Sequence, residues 1–143
     1  MKQKKWVVFG IVGVICSMLL TGCSMKTPLP DGMDEDQVIA AGTEIRELLF
    51  AGEYEKIAAL FREDVRVEST ITAEKVRILV ETYANPTDVG TFVKVNKTSV
   101  SGNEEGENHG IVVFECEFTE KKVGVGVSFD VNMQLTGITL ARS

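Results

Sequence analysis

The chain has 143 residues, with 25% charged and 44% hydrophobic, which is the composition of a globular protein rather than a disordered one. That length suffices for one domain and not comfortably for two. The formal net charge of −6 is unevenly spread: Lys2, Lys4 and Lys5 precede any acid, so the remainder carries −9. Nucleic acid and anionic lipid head groups both call for clustered Lys and Arg, so neither is expected as a partner.

Residues 1–22 have three parts in a recognisable order: the basic Lys2, Lys4 and Lys5, the apolar stretch Trp6–Leu20, and the small pair Thr21-Gly22. The apolar stretch is about 15 residues long, short of the roughly 20 that a permanent spanning helix needs. It reads as a removable signal peptide, the alternative being an uncleaved signal anchor. Leu20-Thr21-Gly22-Cys23 resembles a lipobox. The resemblance implies that the Cys23 thiol receives diacylglycerol and that the chain is cut on the amino side of Cys23. Two acyl chains give stable membrane attachment where one gives only reversible binding. The expected location is therefore the extracytoplasmic face of a cell membrane, in a Gram-positive-type envelope. Cys16 would leave with the signal, so Cys116 would be the only thiol left free and ought to be buried.

Ser24–Met33 contains two prolines and a glycine without periodicity and is expected to be a flexible tether, reaching at most about 35 Å. The domain organisation is thus signal peptide over 1–22, anchor and tether over 23–33, and a single domain over 34–143. Three helical patterns open that domain. Val38, Ala41, Ile45, Leu48 and Leu49 form one apolar face after an acidic first turn, and Gly52 is a natural stop. Residues 53–62 predict a short second helix with Tyr54, Ile57, Ala58 and Phe61 inward. The third begins at the N-cap Thr72, carries Val76, Leu79, Val80 and Tyr83 as its stripe, and ends at Asn85-Pro86.

Beyond Pro86 the period falls to two. Residues 92–100 predict a strand whose facing is ambiguous. Residues 110–120 follow, with Val112, Phe114, Cys116 and Phe118 on one face. In the third strand Val123, Val125, Val127 and Phe129 alternate with Gly124, Gly126, Ser128 and Asp130. Residues 134–140 make a fourth. Helices first and an antiparallel meander second give an α+β class, with N-terminal helices packed on a sheet of about four strands.

Several short motifs resemble domain of unknown function family 3887: Ala51-Gly52-Glu53-Tyr54 with Phe61, Ile71-Thr72-Ala73-Glu74, Gly90-Thr91-Phe92, and Leu135-Thr136-Gly137-Ile138. The resemblance spans about residues 36–140. It implies a nuclear transport factor 2-like fold, a cone of helices wrapped by a bent antiparallel sheet. It carries over no activity and no catalytic positions.

Candidate chemistry is sparse. His109 stands alone at the end of a polar loop, without the second ligand a metal site needs or the partner a general base needs. Glu104, Glu105 and Glu107 lack the spacing of a calcium loop. Gly124 and Gly126 fall within a strand, where they suit curvature or a bare ligand-facing surface rather than phosphate binding. Tyr54, Phe61, Tyr83, Phe114 and Phe129 are candidates to line a pocket, although their periodic placement is first explained by core packing. No catalytic residue, metal or cofactor is expected. The expected function is that of a membrane-anchored, non-catalytic binding or accessory domain for an envelope protein or small ligand. The alternatives are a small-molecule or lipid pocket in the cone, and an enzyme using buried carboxylates.

Overall fold

The computed structural model describes residues 27–103 and 106–143; the leader, the Cys23 motif, Glu104 and Glu105 lie outside the described residues. Helix α1 (Glu35–Ala51) starts where Asp34 accepts the Gln37 backbone N–H at 3.1 Å, with Glu35 and Asp36 in its first turn. It stops at Gly52, whose φ of 78° is left-handed. The N–H groups of Gly52 and Glu53 then close on the carbonyls of Leu49 and Leu48 at 3.3 and 3.0 Å. The buried stripe is Val38, Gly42, Ile45 and Leu49, with Ala41 and Leu48 half-buried beside it. Gly42 sits where α1 touches the sheet, and a Cβ there would collide with Val112 and press on the Phe114 ring.

The second helical pattern is divided in two. Helix α2 (Tyr54–Leu60) ends because Phe61 is extended and forms a parallel bridge to Leu135. Helix α3 (Glu63–Glu68) follows with no buried residue, so it leaves no apolar stripe in the sequence to announce it. Helix α4 (Ala73–Tyr83) is capped by Thr72, which accepts the Lys75 N–H at 3.2 Å, and buries Val76 and Val80. Asn85-Pro86 ends α4 as expected and also starts α5 (Pro86–Val89). Proline tolerates the first helical position because its missing N–H would be unpaired there anyway.

Strands β1 (Phe92–Gly102), β2 (His109–Phe118), β3 (Lys122–Asp130) and β4 (Leu135–Arg142) form one antiparallel sheet in the order β1-β2-β3-β4. The expected α+β architecture is the one found, with α1 and α4 packed on the sheet. The alternation expected of β2 and β3 is also present. Val112, Phe114 and Cys116 pair with Val127, Val125 and Val123, and all six are buried. Strand β1 is irregular between Phe92 and Lys94 and again between Val95 and Lys97. Each irregularity slips the alternation, so Phe92, Val95 and Val100 face the helices at intervals that no strict period of two produces.

Cys116 is fully buried, and burial pushes its thiol up to about 11. In native buffer near pH 8 it should stay unreactive toward an aromatic disulfide reagent and react stoichiometrically once denaturant is added. Rapid labelling of the native protein would contradict this packing.

Thr27–Met33, the described part of the expected tether, lies against the domain. The Gly102 N–H donates to the Thr27 carbonyl at 2.8 Å, and Pro28 covers the Gly102 Cα, where a Cβ would not fit. Leu29 and Met33 pack over Gly110 and join the edge of the core. Two apolar side chains and two glycines on facing strand ends account for a docked strap in a segment rich in proline.

Candidate functional site

The aromatic residues considered as a pocket do not share one place. Phe61, Phe114 and Phe129 are buried within the common core, and Tyr54 packs against that core half-buried. Tyr83, at the end of α4, is among the exposed large side chains. Further along the sheet, Phe50, Phe92 and Phe118 form a cluster with ring centroids 5.2–5.6 Å apart. Arg46 lies over Phe92 and Phe114, its guanidinium carbon 5.5 and 5.1 Å from their centroids. Its buried Nε has no hydrogen-bond partner, and the ring faces take the place of one.

The concavity lies on the opposite face of the sheet. Lys97, Glu115, Gly124 and Ala141 form one cross-strand row, and Ser99, Val113, Gly126 and Thr139 form the next. The first row, with Ser99 and Val113 of the second, Lys122 and the Arg142–Ser143 terminus, lines a groove of about 400 Å³. The two glycines play different parts. A Cβ at Gly126 would collide with the Thr139 hydroxyl, so the neighbours already fill that position. At Gly124 the nearest atom is the Ala141 carbonyl oxygen, 3.8 Å from where a Cβ would be, so this glycine leaves the groove floor bare. Lys97 and Lys122 stand at the rim with Glu115 between them, while Arg142 is held by Asp88. Such a mixed, mostly apolar shelf can seat an extended chain or a protein edge. Ser99 is its internal hydroxyl and has no histidine beside it, since His109 lies elsewhere.

His109 is the first residue of β2 rather than a loop residue, and it pairs with Asp130 across the strands. Its Nδ1 donates to the Glu107 carbonyl at 2.6 Å, and its backbone N–H donates to the Asn103 side chain at 2.7 Å. Beside it lies a charge cluster that the sequence reading missed. Arg62, at the α2–α3 junction, grips Asp64 with Nε and Nη2 at 2.6 and 3.0 Å. It grips Glu107 with Nη1 and Nη2 at 2.5 and 3.0 Å, and its Nη1 reaches Asp130 at 3.0 Å. Asp130 is only 3% exposed. Its other oxygen accepts the N–H groups of Asn132 and Gln134, both at 2.9 Å. Burial pushes this carboxyl up, but the Gln134 N–H, Arg62 and the Asn132 N–H outweigh it and hold Asp130 below the usual carboxylate range. Hydrogen bonds from Arg62 likewise lower Glu107 and Asp64. The one sequence signal for this cluster was Asp130 two residues before Asn132, a spacing at which aspartate folds back onto its own turn.

Among the described residues no group of three or more His, Cys, Asp and Glu is placed to hold a metal ion. Among them, also, no helix is long and apolar enough to cross a membrane.

Helices followed by a four-stranded antiparallel meander, joined by a charge cluster around the buried Asp130 and open on one sheet face, define an α+β domain of the helix-on-sheet type. The chain belongs to the family described as Protein of unknown function (DUF3887), whose profile matches residues 42–138. Its fold is similar to that of the NMR structure of a protein from Ruminococcus gnavus ATCC 29149. The two share 23% identity with a TM-score of 0.64, over 80% of this chain and 96% of that one. Comparison with curated proteins gives no match.

Proposed function

We propose that this chain is a lipid-anchored, non-catalytic accessory protein of the cell envelope whose domain binds a partner through the outward face of its sheet. The observation that carries the anchoring is Leu20-Thr21-Gly22-Cys23 behind a basic and apolar leader. Binding at the sheet is supported by the groove floored at Gly124, since four of the five aromatics considered for an inner pocket pack in or against the core and Tyr83 is exposed. Asp130, the one buried carboxylate among the described residues, is held ionised by Arg62 and two backbone N–H groups, which suits holding a turn rather than proton transfer.

Cys23→Ala protein should remain unprocessed or be released from the membrane fraction, and a Cys23→Ala chain still cut and membrane-bound would refute the anchoring. For the binding half, Gly124→Trp fills the groove and should abolish envelope cross-links made from a photo-reactive residue at Lys97. Native mass spectrometry showing a retained small molecule, with cross-links unaffected by Gly124→Trp, would favour an inner pocket instead.

A further inference from the structure

The strap fixes more than an attachment point. Thr27 is pinned at Gly102 and Met33 at Gly110, which places both at the end of the sheet where β1 finishes and β2 begins. Because the strands alternate in direction, β3 also finishes there, at Asp130, and β4 begins there, at Leu135. Helix α1 starts at this end as well. Its Gly42 then meets Val112 and Phe114, and its Phe50 meets Phe118 at the far end. That far end carries the β2–β3 turn, the Ser143 terminus bonded to Lys122 at 3.1 Å, and the groove row from Lys97 to Ala141.

Cys23 stands only four residues before Thr27, a stretch that covers at most about 14 Å. The eight residue steps from Lys122 to Asp130 measure about 26 Å along the strand. The leash is therefore shorter than the domain is tall, and it is fastened at one end.

We propose that the lipidated protein stands on its strap end, with the Gly102 and Gly110 strand ends and the β3–β4 turn apposed to the phospholipid surface and the groove turned outward. This rests on the anchoring reading above. Asp31, Asp34, Glu35, Asp36 and Glu107 cluster in sequence or structure around that same end. Charge would push this end away from an anionic bilayer, so its position follows from the short covalent leash and not from attraction.

The test uses the lipidated full-length protein in phosphatidylcholine vesicles that carry a rhodamine head-group lipid. A donor dye is placed on Asn132→Cys at the strap end or on Lys121→Cys at the far end, both exposed positions. Energy transfer from position 132 should exceed that from position 121 by about two-fold or more, given the strand length separating them. A flexible Gly/Ser spacer of about twelve residues inserted between Lys26 and Thr27 should erase the difference. Equal transfer from the two positions in protein shown by mass spectrometry to carry diacylglycerol would overturn the orientation and leave the anchoring intact. Absence of the lipid adduct would overturn the anchoring and the orientation with it.

Discussion

Asp130→Ala should lower stability by about 3 kcal/mol, read from denaturant unfolding at neutral pH. The variant loses a nearly buried carboxylate that satisfies Arg62 and two backbone N–H groups, and it leaves those N–H groups at a turn where Met133 holds a left-handed φ of 64°. The thermal midpoint should fall by roughly 10 °C for a domain of this size. Asp130→Asn should cost less, because an amide oxygen can still accept from the turn while the ion pair is gone.

The same cluster sets an acid limb. Asp130, Glu107 and Asp64 all ionise more readily folded than unfolded, where the carboxylates have ordinary values of 3.8 to 4.5. A lowered folded value means that the unfolded chain binds more protons in this range, so stability falls as pH falls. The contribution is complete above about pH 5, declines as pH drops through 4, and is gone once the folded groups are protonated. Arg62→Gln should flatten the decline between pH 5 and 3. An unchanged acid limb in that variant would assign the pH dependence to other acids.

Gly42→Leu is the second large effect, with an expected loss of about 3 kcal/mol from overpacking. Glycine inside a helix ordinarily costs up to about 1 kcal/mol relative to alanine, so propensity alone predicts that Gly42→Ala stabilises α1. The contact with Val112 and Phe114 reverses that sign, because both are fixed in the core and the Val112 methyl stands where the new carbon must go. Gly42→Ala should destabilise by about 1 kcal/mol. Combining Gly42→Ala with Val112→Ala should restore much of the loss expected from adding the two singles. Strict additivity would show that α1 shifts away from the sheet instead.

These two sites also mark where the sequence stops being legible. Helix ends were readable because their signals are local: Asp34, Gly52 and Thr72 each act on groups within a few residues. The faces of β2 and β3 were readable because one side of each is buried along its length. Gly42 was hidden because a contact with Val112 has no local trace, and the glycine looks like a mere interruption of the stripe. Arg62 was hidden for a stronger form of the same reason. Its partners Glu107 and Asp130 lie 45 and 68 residues away, and nothing in a run of charges tells which will meet. In β1 the bulges broke the period itself. The groove is a property of four strands at once, visible in the sequence only as Gly124 and Gly126, of which Gly124 alone lines it.

The irregular β1 has a consequence for crowding. It is one of the two outer strands of the sheet, and an even outer strand offers its free N–H and C=O groups to a neighbouring molecule. Here the spacing is broken twice, at Phe92–Lys94 and Val95–Lys97, Lys94 and Lys97 add charge along the same stretch, and the Gly102 end is already paired with Thr27. The proposed anchoring would confine copies to a surface and raise the frequency of side-by-side encounters between them. A border that does not match itself keeps those encounters from growing into a continuous sheet.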